Sequence, residues 1–138
     1  MLLTADVGNT NIKFGLFEGD ELKFKLRIST DTRKTSDEIA VELFTFFQIY
    51  HIDNKAIDAA IISSVVPKIT QPLRDAIEVS TGVRSLVVGP GLKTGIELRI
   101  DRPETLGGDI VCGCVGALEK YGGPLLMIFM GTATVIGY

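Results

Sequence analysis

Residues 4–15 read TADVGNTNIKFG. Asp6 stands near the end of an apolar, alternating run, Gly8, Asn9 and Thr10 follow, and a second apolar run begins at once. Two period-two runs on either side of a short Gly/Asn/Thr separator read as strand, tight turn, strand. The same pattern continues outward. Residues 2–7, 12–18 and 21–29 alternate or run apolar, with GNTN and EGDE between them. This predicts a three-stranded antiparallel meander.

Downstream the period changes. In TRKTSDEIAVELFTFFQIYH (32–51), Ser36 is expected as the N-cap, with Asp37 and Glu38 in the first turn. Ile39, Leu43, Phe46, Phe47 and Tyr50 then recur at helical spacing. His51, the single histidine, reads as a helix-end residue. DAAIISSVV (58–66) is a continuous apolar run, expected as a strand covered on both faces and ended by Pro67. KITQPLRDAIEVSTG (68–82) reads as a helix closed by Gly82, and RSLVVGPG (84–91) as another buried strand running into a turn. A loop leads to a helix expected from about Glu104 to Tyr121, broken by Gly122 and Gly123. PLLMIFM (124–130) is expected as a further buried strand, and GTATVIGY as a turn into another.

The order β-β-β-α-β-α-β-α, then β-turn-β, predicts an α/β fold: a mixed five-stranded sheet with flanking helices. LLTADVGNTNIKFG (2–15) and LLMIFMGTATVIGY (125–138) share a theme of apolar strand, glycine, small polar residues and apolar strand. This internal repeat predicts a first lobe over 1–122 and the opening strand-turn-strand of a second, similar lobe over 123–138.

Bulk properties narrow the function classes. The chain has 138 residues, 46% of them hydrophobic, and a formal net charge of −3. That balance disfavours a nonspecific nucleic-acid binder, which needs a basic face. No run approaches the roughly 18 apolar residues of a membrane helix. The opening MLLTAD lacks the basic and long apolar regions of a signal peptide. A mean hydropathy of +0.31 suggests apolar surface for burial against another lobe or subunit. Cys112 and Cys114 sit two apart with no histidine or second cysteine pair beside them, which argues against zinc and for a reduced cytosolic pair.

Three stretches carry chemistry. Glycine in a Gly-Asn-Thr turn lets backbone N–H groups approach a phosphate. Asn9 and Thr10 add side-chain donors, and Lys13 can neutralise phosphate charge. Asp6 can hold Mg²⁺, a hard ion that takes one or two carboxylates with phosphate oxygens. An ordinary β-turn accounts for the same residues. The GTAT turn at 131–134 repeats the theme, as chemistry or as duplicated turn geometry. In the third stretch, Gly107 and Gly108 allow a substrate close to the backbone, and Asp109 could accept a proton from a hydroxyl being phosphorylated. Asp109 equally suits a helix start, where its charge favours the dipole. Lys93 and Arg102 fit either phosphate contact or solvated loop charge.

Taken in order, these stretches resemble the type III pantothenate kinases, a branch of the acetate kinase/sugar kinase/heat-shock ATPase/actin superfamily. DVGNTNIKFG (6–15) matches the family's D-x-G-N-T phosphate motif. ISSVVP (62–67), GPGLKTG (89–95), the P-x-x-x-G-x-D spacing at 103–109 and GTAT (131–134) match further hallmarks. The resemblance implies an RNase H-like, actin-like ATPase lobe. It implies transfer of the ATP γ-phosphate to pantothenate, the entry step of coenzyme A synthesis. Mg²⁺ and a monovalent cation (K⁺ or NH₄⁺) are implied as cofactors, and a cytoplasmic homodimer as the assembly.

Carried over by position, Asp6, Val7, Gly8, Asn9, Thr10, Asn11, Ile12 and Lys13 would meet the ATP phosphates, with Asp6 at the metal. Thr132 would touch ATP. Gly107, Gly108, Asp109 and position 110 would meet pantothenate, with Asp109 as proton acceptor. Two positions depart from the family. Ile110 stands where an arginine is expected and cannot make a bidentate carboxylate contact. Phe129 stands where an aspartate is expected and offers no ligand to a monovalent cation. An altered, non-catalytic lobe and a regulatory accessory factor of the same family are the competing readings. The net charge of −3 and the lack of a helix-turn-helix argue against direct DNA contact by the latter.

Overall fold

The computed structural model describes residues 1–89, 91–130 and 134–138, leaving aside the side chain of Glu104. Two compact units divide it, Met1–Val88 and Gly89–Tyr138.

In the first unit, β1 (Leu2–Val7), β2 (Asn11–Glu18) and β3 (Glu21–Ser29) form the expected meander. The chain then passes through α1 (Ser36–Ile49), β4 (Ala59–Ser64), α2 (Pro67–Thr81) and β5 (Leu86–Val87). The five-stranded sheet has the order β3-β2-β1-β4-β5. β1 and β3 are antiparallel to β2, while β4 lies parallel to β1 and to β5. The sheet is therefore mixed, as the sequence predicts.

Alternation decides which side chains reach the core. Leu3, Ala5 and Val7 of β1 and Ile12, Phe14 and Leu16 of β2 are buried. They share a cluster with Ile39, Leu43 and Phe47 of α1 and Ile69, Leu73 and Ile77 of α2. The intervening positions, Thr4 and Asp6 of β1 and Lys13 of β2, belong to the opposite sheet face.

Several local expectations are corrected. Thr35, not Ser36, caps α1. Its hydroxyl accepts from the Glu38 N–H at 3.3 Å, and Glu38 Oε2 accepts from the Thr35 N–H at 2.8 Å. A cap needs a Glu or Gln three residues on to close this reciprocal pair, and only Thr35 has one. Pro67 not only ends the strand but opens α2 at the position where its missing N–H costs nothing. β5 keeps only two residues, and Leu86 is 59% exposed, because this edge strand pairs on one side only. His51 follows the Tyr50 C-cap with φ of 54°, the left-handed geometry of a helix end.

In the second unit, α3 runs Gly108–Tyr121 rather than from Glu104. Residues Pro103–Thr105 make a short 3₁₀ turn, and extended Gly107 separates it from the helix. β6 (Met127–Met130) and β7 (Thr134–Gly137) pair antiparallel as a two-stranded sheet. The expected buried strand at 124–130 is not buried: Ile128 is 57% and Met130 86% exposed. Pairing in a two-stranded ribbon satisfies an edge of each strand and covers neither face, and of β6 it is the Phe129 ring that meets α3 at Gly113. No described helix is long and apolar enough to cross a membrane.

Candidate functional site

The turn between β1 and β2 is a tight one. The Gly8 N–H donates to the Asn11 carbonyl at 3.0 Å, leaving Asn9 and Thr10 at its tip, both exposed. A Cβ on Gly8 would lie 3.3 Å from that same carbonyl oxygen, so the close approach favours glycine. The flanking side chains Val7 and Ile12 are each 1% exposed. They nail the turn to the core and leave only their backbone for a ligand.

Thr30, just past β3, holds the turn from the side. Its hydroxyl donates to the Gly8 carbonyl at 2.7 Å, and its N–H to the Thr10 carbonyl at 2.9 Å. Two carbonyl oxygens are thereby engaged, while the N–H groups of Asn9 and Thr10 have no partner among the described residues. Successive free N–H groups of this kind favour an anion. Beside Thr30, Asp31 accepts from the Arg33 N–H and from its guanidinium at 3.0 and 2.8 Å. These bonds hold the Asp31 carboxyl down to about 2.

Asp6 and Lys13 are register partners on β1 and β2, and Lys13 Nζ donates to Asp6 Oδ2 at 3.1 Å. The pair is exposed, with 57% and 46% of the Lys13 and Asp6 side chains open to solvent. Such a pair contributes at most about 1 kcal/mol, so either member can turn to a ligand at small cost. On the other side of Asp6, Ser63 of β4 is its register partner. The structure thus joins Asp6, Gly8, Asn9, Thr10, Asn11 and Lys13 into one corner, and adds Thr30 and Ser63.

The donor set bears on the implied metal. No group of three or more His, Cys, Asp or Glu side chains that could hold an ion occurs among the described residues. A single half-exposed carboxylate suits Mg²⁺ completed by phosphate oxygens and water, and does not suit an ion caged by protein alone.

In the second unit, Gly107 is the N-cap of α3 and Asp109 lies in its first turn. No side chain caps this terminus, and Asp109 is exposed. Ile110, half-buried, follows on the same turn. Four residues beyond Asp109, Gly113 receives the Phe129 ring: a Cβ there would fall 2.4 Å from Phe129 Cε1 and 2.9 Å from Cζ. Phe129 thus packs β6 against the helix that starts at Asp109 and presents no side-chain ligand for a cation. Lys93 and Arg102 are exposed. Thr132, with residues 131 and 133, lies outside the described residues.

Comparison with known proteins accords with these elements. The family model for type III pantothenate kinase matches residues 2–138. The type III pantothenate kinase of Bifidobacterium animalis subsp. lactis is 43% identical over all 138 residues, which cover 55% of its own length. That of Exiguobacterium sp. is 40% identical over 138 residues, 54% of its length. That of Moorella thermoacetica is 42% identical over 134 residues, 52% of its length. The chain spans about half the length of these relatives. With its mixed sheet, its Gly-Asn-Thr turn and a match from Leu2 to Tyr138, the chain belongs to the type III pantothenate kinase family.

Proposed function

We propose that this chain provides the phosphate- and metal-binding part of an ATP-dependent pantothenate kinase, which transfers the ATP γ-phosphate to the pantothenate hydroxyl. The observation that carries this reading is the corner formed by the Asp6–Lys13 pair and the Thr30-braced turn. The Asn9 and Thr10 N–H groups would receive phosphate oxygens. Lys13 would move from Asp6 to a phosphate, and Asp6 would then hold Mg²⁺. Mg²⁺, when bound, would neutralise charge on the phosphate oxygens. Asp109 would accept the hydroxyl proton, with Gly107 and Gly108 letting pantothenate approach the helix start. Thr132 would contact ATP.

The repeat of residues 2–15 at 125–138 supports a lobe boundary near 122, with 123–138 opening a second lobe. The exposed apolar side chains of β6 and β7 suit burial by such a lobe or by a second copy in a homodimer. A cytoplasmic setting fits the ATP and pantothenate chemistry. No K⁺ role is assigned, because Phe129 offers that ion no side-chain oxygen.

A second reading rests on Ile110 and Phe129: a lobe that keeps phosphate binding without turnover. Phosphopantothenate formation by the chain with ATP, Mg²⁺ and K⁺, beside Asp109→Asn, separates the two. Product lost in Asp109→Asn supports the kinase. Absence of product from the folded chain, restored by Ile110→Arg with Phe129→Asp, supports the altered lobe.

A further inference from the structure

The strand order β2-β1-β4 sets Lys13, Asp6 and Ser63 in one row, in direct register, on the sheet face opposite the α1/α2 core. On its β2 side Asp6 is bonded by Lys13. On its β4 side stands Ser63, 7% exposed, whose Oγ is buried with no hydrogen-bond partner among the described residues. A buried hydroxyl without a partner is unfavourable and calls for a reason. Its neighbour Ser64 shows what ordinary use looks like. Ser64 Oγ accepts from Thr70 Oγ1 at 2.8 Å and from the Val66 N–H at 3.1 Å, tying down the start of α2. Of the tandem serines, one is used in folding and the other is left over beside the candidate metal carboxylate.

Resting on the reading of Asp6 as that carboxylate, we infer that Ser63 is a positioning residue for Asp6. Lys13 supplies the one donor bonded to the Asp6 side chain among the described residues. When Lys13 turns to phosphate, Asp6 loses that donor. The Ser63 hydroxyl then donates to the carboxylate from the β4 side and fixes its orientation toward the ion. Carboxylates that ligate metals are in general hydrogen-bonded in this way by outer partners. The Ser63 hydroxyl, buried without a partner among the described residues, is the donor available for that bond.

The test uses the 138-residue chain with Mn²⁺ and ATP as probe, uptake being read from the free-Mn²⁺ spin resonance signal, and thermal melting in parallel. Ser63→Ala is expected to weaken Mn²⁺–ATP uptake about 10-fold, with a melting temperature at or above wild type, since the removed hydroxyl had no partner. In an Asp6→Asn background the same substitution is expected to have no further effect. Unchanged uptake in Ser63→Ala, with uptake weakened in Asp6→Asn, would overturn the role of Ser63 and leave Asp6 as the metal carboxylate. Unchanged uptake in both, or none by the wild-type chain, would overturn both readings. A loss in Ser63→Ala that persists undiminished in the Asp6→Asn background, or that comes with a lowered melting temperature, would make Ser63 a structural residue and overturn the inference.

Discussion

Thr30 Oγ1 donates to the Gly8 carbonyl at 2.7 Å, joining residues 22 apart in the chain. The same residue engages the Thr10 carbonyl through its N–H. One residue thereby engages two of the turn's carbonyls and leaves the Asn9 and Thr10 N–H groups without a partner among the described residues. Thr30→Val keeps the shape and the backbone bond but removes the hydroxyl. We expect a loss of about 1 kcal/mol in denaturant unfolding and of about 5-fold in ATP affinity measured by calorimetry. Intact ATP affinity would show that the turn holds itself.

The Phe129 ring occupies the space in which a side chain on Gly113 would sit. Gly113→Ala is expected to destabilise the α3/β6 packing by about 1–3 kcal/mol, seen as faster amide exchange in α3. Adding Phe129→Leu should recover much of the loss. Equal exchange in Gly113→Ala and wild type would contradict the packing.

Asp31 titrates near 2 because Arg33 bonds it through its guanidinium and its N–H. Its folded value lies below the unfolded one, so its contribution to stability is present above about pH 4. That contribution is lost as the pH falls toward 2. Arg33→Ala should raise the Asp31 midpoint toward the ordinary carboxylate value in a carboxyl NMR titration. An unmoved midpoint would show that Arg33 does not hold it.

The reciprocal bonds between Thr35 and Glu38 close the start of α1, and the Thr35 N–H and hydroxyl, both donating to Glu38 Oε2, lower the Glu38 pKa. Thr35→Ala is expected to cost about 1 kcal/mol, with Thr35→Ser near wild type. Ser36→Ala should change little. The reverse ranking of the two alanine variants would restore Ser36 as the cap.

What the sequence made legible is what depends on period and on near neighbours. The meander follows from the alternation around Gly8 and from the EGDE separator. The parallel placement of β4 follows from the helix between it and β3. Thr35 and Ser36 are both good cap residues, and the signal that separates them is the Glu38 three residues after Thr35, where Ser36 has Ile39. The exposure of Leu86 and Ile128 depends on what lies beside each strand, which no run of apolar residues encodes. In the candidate site, Asp6 and Lys13 lie close in sequence and are visible in one motif. Thr30 and Ser63 join them only through strand order and register. ISSVVP marked Ser63 as part of a hallmark, yet nothing local assigned it a place beside Asp6. The contact of Phe129 with Gly113 likewise needs the pairing of a strand with a helix.

The central claim is that the β1–β2 corner receives the phosphates of ATP. Titration of the ¹⁵N-labelled chain with Mg²⁺–ATP, followed amide by amide, tests it most directly. The account predicts saturable shifts of the Gly8, Asn9, Thr10 and Lys13 amides, and their loss in Lys13→Ala. Shifts confined to other amides, or a corner that stays unmoved at saturating nucleotide, would contradict it.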